Sequence, residues 1–487
     1  MKSGRERELK LSAPPSLRLP PLGGIADGIS AVARDPIRLL ATYLDTDDLR
    51  LARAGVSLRH RTGEGWTVKL PAGSDGELLV RTELVFPGDV RRPAPEAVDL
   101  VRAYARSAAL APQARLRTVR RVVELRDGEG AVVAEVSDDE VSILDGRRVA
   151  GRFRELEVEL GATVPSGLAA VVGSALQEAG AGAPEGMPKV VRALGARALE
   201  APDIPAEPCA GETAGVVVRN AVARSVGRLV AHDPVVRLDL EAEGVHQMRV
   251  ATRRLRSDLT TFGPFVDAEW SRELRAELGW LAGLLGEVRD ADVLLARFRS
   301  RDVPGAGSVL GSLEAQRAEA FARLIDALRG ERYVRLLDRL VDAAREPALT
   351  EAAGARGREV LPQQARSRWS SLAKAARKAG GSPEDLHDVR IRVKRCRYAV
   401  EAVEPTLGKG AAAFARELAR LQDRLGELND AFVAEAWLRE WGRDRRGAAA
   451  FAAGELAGLE LADAEAARRR WRKAWKSAAA AVPAKLR

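Results

Sequence analysis

Near the start of the chain stands Glu6-x-Glu8-x-Lys10, two carboxylates and an ammonium at alternate positions. In a β-strand successive side chains point to opposite faces, so these three share one face while Leu9 and Leu11 occupy the other. The habit recurs in Arg59/Arg61, Arg81/Glu83, Arg115/Arg117 and Glu155/Glu157/Glu159, with one or two charge types per strand. An amphipathic surface strand, with acid and base mixed for solubility, explains any one of these but not the series. Cationic strands facing carboxylate strands can hold a multiply charged anion together with the divalent cation that bridges its phosphates. Carboxylate oxygens suit Mg²⁺ or Mn²⁺, and no His/Cys cluster points to zinc.

A second constellation is written twice. His246-Gln-Met-Arg249-Val-Ala-Thr-Arg253-Arg-Leu-Arg256 returns as His387-Asp-Val-Arg390-Ile-Arg-Val-Lys394-Arg-Cys-Arg397, and each copy is followed by a Leu-Gly-Glu phrase, Leu285 to Asp290 and Leu425 to Asp430. On a helix a His and cations at i, i+3, i+7 and i+10 fall on one stripe. A solvated basic face needs no His-x-x-Arg register and tolerates Glu or Gln. Four His occur in the chain, and two of them open these phrases. A duplicated polyanion site is expected, with the stripe His246, Arg249, Arg253, Arg256 facing the stripe His387, Arg390, Lys394, Arg397 across a shared groove.

Two textures must position these groups. Up to about residue 195, short alternating runs are separated by Gly, Asp and Pro turns, with helices around 97–108 and 165–180. Charged inner faces and apolar outer faces make sense if this sheet closes into a barrel with a polar lumen. Prolines in 201–208 break both helix and central strand, so 198–212 reads as a linker. From 213 onward the period is helical, with repeats at about 213–345 and 364–485 and a softer joint near 346–363. Ser382-Pro-Glu-Asp385 has the form of a helix start, with Ser as N-cap and Pro at the first position. The expected fold class is therefore multidomain: an N-terminal antiparallel β-barrel of α+β type, residues 1–197, followed by an all-α domain of two repeated helical bundles, 213–487.

The chain has 487 residues, 46% apolar, and a formal net charge of +9. That balance favours an acidic partner, although an Arg-rich, Ala-rich composition weakens any argument from charge alone. Cys209 and Cys396 are too few for a disulfide framework or a zinc site. The first residues lack the apolar core of a signal peptide and no stretch reaches membrane-spanning length, so no membrane partner and a cytoplasmic location are expected. Arg468-Arg-Arg-Trp471-Arg-Lys-Ala-Trp475 reads better as a packed terminal helix than as a nucleic-acid arm, and nucleic acid is the disfavoured partner.

Residues 3–195 resemble the CYTH superfamily, the triphosphate tunnel metalloenzymes. The marks are Glu6-x-Glu8-x-Lys10, Tyr43-Leu-Asp-Thr46, Leu58-Arg59-His-Arg61, Trp66-Thr-Val-Lys69, Arg81-Thr-Glu83, Arg117-Thr-Val, Glu155-Leu-Glu157-Val-Glu159 and Pro188-Lys189. Residues 213–485 resemble a CHAD domain, a helical module linked to polyphosphate binding. The resemblance implies a triphosphate tunnel in which Glu6, Glu8, Glu157 and Glu159 lie near Mg²⁺ or Mn²⁺. Lys10, Arg59, Arg61, Lys69, Arg81, Arg115, Arg117 and Lys189 would hold phosphate oxygens, with the inward register of 115–121 left open by Arg115, Arg117, Arg120 and Arg121, and either Asp138 or Asp139 would supply a further acid. Glu6, Glu8 and Lys10 are then the catalytic set. The implied function is a divalent-metal-dependent triphosphatase, acting on inorganic triphosphate or a related triphosphate, with an attached domain for inorganic polyphosphate. A non-catalytic polyphosphate-targeting protein and adenylate-cyclase-type use of the same tunnel are the alternatives.

Overall fold

The computed structural model describes residues 2–76, 78–206, 208–408 and 410–486. It divides into two compact units, 1–203 and 204–487.

The first unit is built from nine strands: β1 (Lys2–Ser12), β2 (Ser30–Ala33), β3 (Ile37–Asp45), β4 (Ser57–Arg61), β5 (Gly65–Asp75), β6 (Leu78–Phe86), β7 (Ala111–Arg126), β8 (Val132–Asp145) and β9 (Arg148–Leu160). They follow the order β2-β7-β3-β4-β5-β6-β1-β9-β8, and β8 pairs back onto β7. Eight antiparallel strands thus close into a barrel, and β2 is a short extra strand on β7. Closure removes sheet edges and forces alternate residues of every strand inward. On β1 the inward set is Glu6, Glu8 and Lys10. Leu9 and Leu11 point outward and join Leu156, Val158 and Leu160 beneath Leu168, Val172 and Leu176 of a covering helix, Leu168–Glu178. That helix approaches β1 so closely that a Cβ on Gly173 would lie 2.8 Å from Leu9 Cδ2.

The lumen is not charged throughout. Inward-facing Leu116 and Val141 pack with Ala41, Tyr43 and Leu49, and with Val190 and Val191 of a short helix, Lys189–Leu194. This apolar cluster forms one end of the lumen and delivers Lys189 to the charged part. Its local frame depends on Asp45, whose carboxylate accepts the backbone N–H groups of Thr46, Leu51 and Ala52 at 2.7–2.9 Å and so fixes the turn after β3. Hydrogen bonds to a charged group contribute about 1.5–3 kcal/mol each, and losses within one turn overlap. Asp45→Ala is therefore expected to destabilise the barrel by about 3 kcal/mol in denaturant unfolding. A change under about 0.5 kcal/mol would show the turn to be held by other contacts.

The second unit is helical. Its first half comprises Ala214–Leu238, Ala242–Thr261, Ala268–Arg299, Gly307–Arg329 and Glu331–Arg345, and its second half is led by Pro362–Lys378, Pro383–Ala402, Ala411–Gly442 and Ala448–Ala480. The first repeated phrase lies on 242–261 and the second on 383–402. Ser382 caps the latter by accepting the Asp385 N–H at 3.1 Å. Each phrase-bearing helix packs against the following 32-residue helix that carries the Leu-Gly-Glu phrase. The apolar period is used for packing on both, with Val245, Met248 and Leu255 buried in one helix and Leu386, Val389, Val393 and Cys396 in the other. In the last helix Trp471 is buried and Trp475 stacks on Trp369 at 5.4 Å, leaving Arg468 and Arg469 exposed beside Glu465.

Candidate functional site: a charged tunnel and a basic groove

The barrel encloses a cavity of about 240 Å³ lined by charge from six strands and the Lys189 helix. At one pole Asp139, Glu155 and Glu157 bring carboxylate oxygens within 4.8 Å of one another, an arrangement that could bind a metal ion. Three cations already face them. Lys189 Nζ lies 2.7 Å from Asp139, 2.9 Å from Glu155 and 2.7 Å from Glu157. Arg120 donates to Asp139 at 2.6 and 2.8 Å and to Glu157 at 2.7 Å. Lys10 makes a short hydrogen bond to Glu157 and stands 3.5 Å from Glu8. Burial opposes the charges of Glu157, Asp139, Lys10 and Lys189, but the partners win. Glu157 is held well below the usual carboxylate range by Lys10, Lys189 and Arg120, and Asp139 is lowered by Lys189 and Arg120. Lys10 and Lys189 are raised by the same acids.

The opposite pole is short of positive charge. Lys69 Nζ donates to both oxygens of Glu6 at 2.6–2.7 Å and lies 3.7 Å from Glu83. Glu159 lines the cavity with an exposed side chain, so its desolvation is partial. Loss of bulk solvent, and then Glu6, push its carboxyl up to about 7 against the opposing pull of Lys69, with smaller contributions from Glu83 and Glu135. Glu8 sits opposite Glu159 in the β1–β9 register, and its Oε1 is buried without a hydrogen-bond partner. Hard carboxylate oxygens with unspent charge are what a divalent cation needs, so this donor set fits Mg²⁺ or Mn²⁺ better than the saturated pole does.

Between the poles Arg59, Arg61 and Arg81 face the lumen. The Arg59 and Arg61 Nε groups are buried without partners. Burial and the neighbouring Arg59 lower the pKa of Arg61, which Glu64 holds at 2.9–3.0 Å. Tyr43 is buried against them. Burial would raise its phenol, yet Arg59, Lys189 and Arg61 outweigh that and lower it.

Of the residues expected in the tunnel, Glu6, Lys10, Arg59, Arg61, Lys69, Arg81, Glu157, Glu159 and Lys189 line the cavity, and Glu8 adjoins it. Arg115 and Arg117 do not. Both are exposed on the outer face, because the β7–β8 register turns Leu116, Thr118 and Arg120 inward. Arg120 is the tunnel arginine of this strand, and the next strand supplies Asp139 while Asp138 faces out to Arg154. Glu64 and Tyr43 are further site residues that charge alternation did not single out, and Glu155, which shares the glutamate face with Glu157 and Glu159, joins the site although no role was expected of it. Inward parity of the glutamate strand was the available signal for Glu155.

The repeated stripes meet in part within the helical unit: four of the eight expected residues share a cavity, while His246, Arg249, His387 and Arg397 do not line it. Arg253 and Arg256 line a cavity of about 570 Å³ together with Arg390 and Lys394, joined by Arg275, Arg368 and Arg395 from outside the stripes. The second phrase explains itself here. Arg249 lies 3.2 Å from Asp290 and its guanidinium rests against Gly286, while Arg390 lies 3.9 Å from Asp430 at the matching place. Burial and then Arg390, Arg253 and Arg249 lower the Lys394 pKa to about 7. Burial and Arg289 lower His246, whereas His387 bonds to Asn429 at 2.9 Å. Arg397 is drawn aside: it pairs with Glu401 at 3.4 Å, lies over Tyr398, and does not line the cavity.

The CYTH family pattern matches residues 4–180 and the CHAD family pattern matches residues 220–439. An uncharacterized protein of Mycobacterium tuberculosis is 33% identical over 465 residues, covering 85% of this chain and 84% of its own. Among solved structures, the CHAD domain of the plant Ricinus communis is 27% identical over 57% of this chain and 96% of its own, with a TM-score of 0.47. PptA from Streptomyces chartreusis is 23% identical over 55% of this chain and all of its own, also at 0.47. No described helix is long and apolar enough to cross a membrane.

Proposed function

The chain belongs to the proteins that join a CYTH domain to a following CHAD domain, and from that premise we propose that its barrel is a divalent-metal-dependent triphosphatase and its helical unit a holder of inorganic polyphosphate. CYTH proteins include triphosphatases and cyclases and are generally metal-dependent. The observation that carries the reading is the small cavity with cations on its walls and an under-neutralised acid set beside them. Arg59, Arg61, Arg81 and Lys69 would take the non-bridging oxygens of a triphosphate, satisfying the orphaned guanidinium nitrogens. Lys10, Lys189 and Arg120 are immobilised by their acids, so they offer positive charge with no reorganisation as charge builds on the phosphoryl oxygens. Glu6, Glu8 and Glu159 would hold Mg²⁺ or Mn²⁺, which when bound supplies charge neutralisation and polarisation of the terminal phosphoryl group. A glutamate of that set would orient the attacking water. The cytoplasm is the proposed location.

The test is phosphate release from inorganic triphosphate, thiamine triphosphate and ATP, each with Mg²⁺, Mn²⁺ or chelator. Chelator-sensitive release supports the reading. Metal-independent release, or conversion of ATP to a cyclic nucleotide with pyrophosphate as the main reaction, overturns it.

For the groove, Arg249→Ala with Arg390→Ala is expected to weaken long-chain polyphosphate binding far more than Arg468→Ala with Arg469→Ala, whose side chains pair with Glu465 in solvent. Wild-type affinity should also fall steeply with salt through counterion release. An anion between the stripes restores the proton that crowding removes from Lys394, so binding takes up a proton and should weaken as pH rises above about 7. Equal losses from the two pairs, or affinity that strengthens with pH, would place the polymer elsewhere.

A further inference from the structure

The two arginines that the barrel turns outward form a surface of their own. Arg117 stands opposite Ser142 on β8, and Ser142 stands opposite Arg152 on β9. Adjacent strands lie about 4.8 Å apart, so the two arginine Cα atoms are about 10 Å apart, with a side chain between them too short to separate their guanidinium groups. Arg115 lies two residues along β7, about 7 Å away on the same face. All three are exposed. Four other arginines on these strands are matched: Arg120 with Asp139 inside, and Arg121 with Glu140, Arg126 with Glu124 and Arg154 with Asp138 elsewhere on the strands. Among the described residues Arg115, Arg117 and Arg152 have no ion pair and no hydrogen bond, and the bordering acids Asp138 and Glu140 are already taken. Fold stability does not require three unpaired guanidiniums on one rung.

Their neighbours on that face are Leu40, Thr42, Val119, Ser142, Leu144 and Val149, with no aromatic ring among them. Single-stranded nucleic acid is held by rings on which bases stack as well as by charge, and this face offers charge alone. We propose that the outer rung Arg115–Arg117–Arg152 is a second binding surface for long-chain inorganic polyphosphate, a linear polyanion without bases, outside the tunnel. The inference rests on the polyphosphate reading above and deepens it. A triphosphate is too short to need the rung, whereas a long chain held by the protein can lie along it.

The experiment is titration of the full chain with long-chain polyphosphate at several salt concentrations, for the wild type, for Arg115→Ala/Arg117→Ala/Arg152→Ala, and for the groove pair Arg249→Ala/Arg390→Ala. Losing three phosphate contacts from a single-stranded polyanion should flatten the slope of log affinity against log salt by about 2. Low-salt affinity should fall about tenfold, as three exposed ionic contacts would allow. Tripolyphosphate binding serves as the short-chain control and should not move. If the groove pair weakens long-chain binding while the rung variant keeps wild-type affinity and slope, the rung proposal fails and the groove reading stands. No long-chain binding by the wild type overturns both. A rung variant that loses tripolyphosphate binding equally would return these arginines to the tunnel. Single-stranded RNA that outcompetes polyphosphate at the rung would make it a nucleic-acid surface. Either result overturns the proposal.

Discussion

Replacing Glu8 with Gln is expected to lower metal-dependent triphosphate turnover about 10²–10³-fold, the range seen when one preorganised electrostatic contact is removed. Gln keeps the shape, so the 3.5 Å approach of Lys10 is weakened rather than vacated, and the fold should persist. The charge lost is the one with an unspent buried oxygen, in an acid set where Lys69 is bonded to Glu6 and leaves Glu159 raised. The metal concentration for half-maximal activity should rise as well, which separates a lost ligand from a lost substrate contact. Full turnover at ordinary metal concentration in this variant would move the metal to the Asp139, Glu155 and Glu157 pole.

The second large effect falls on stability. Lys189 neutralises three buried acids at once, and Lys189→Met would leave Lys10 and Arg120 to serve all of them. Removing one partner of a buried ionic network costs about 3–5 kcal/mol, because charge is left uncompensated in a poor solvent. The pH dependence has a defined sign. Glu157 and Asp139 have depressed folded-state pKa values. Their contribution is therefore fully present above the unfolded carboxylate range near 4 and lost as pH falls through the folded values. In the variant the stranded acids gain by protonation, so the gap from wild type should narrow on acidification from neutral pH. Denaturant unfolding at neutral and mildly acidic pH reads both effects. A deficit that stays constant with pH would assign the loss to packing of the Lys189 helix instead.

Much of this site was legible in one strand at a time. Glu6, Glu8 and Lys10 alternate with Leu9 and Leu11, so period two alone puts the charges on one face and the apolar pair on the other. β7 defeated the same logic. Arginine stands at positions 115, 117, 120 and 121, occupying both parities, and periodicity cannot choose a face. The choice is made by pairing across strands, where Arg120 meets Asp139 and Arg117 meets Ser142. Glu157 shows a different limit. Its strand marks it as inward, but whether it faces a metal or a cation depends on Lys189, 32 residues later, being carried into the lumen by an apolar helix. In the helical unit the stripes were visible as spacing, and Arg253, Arg256, Arg390 and Lys394 do share a cavity. Arg397 leaves that set because Glu401, one turn on, is the nearer charge.

The sequence by itself determined the two classes of structure, their order, and which face of most elements carries charge, because hydrophobic period is a local property of the backbone conformation. Only the tertiary structure decided which charges are spent on one another and which remain available, because that depends on closure of the barrel and on distances between residues far apart in the chain. Coulomb energies at these separations are decided by an ångström or two and by loss of solvent, neither of which is encoded in spacing along a strand or helix.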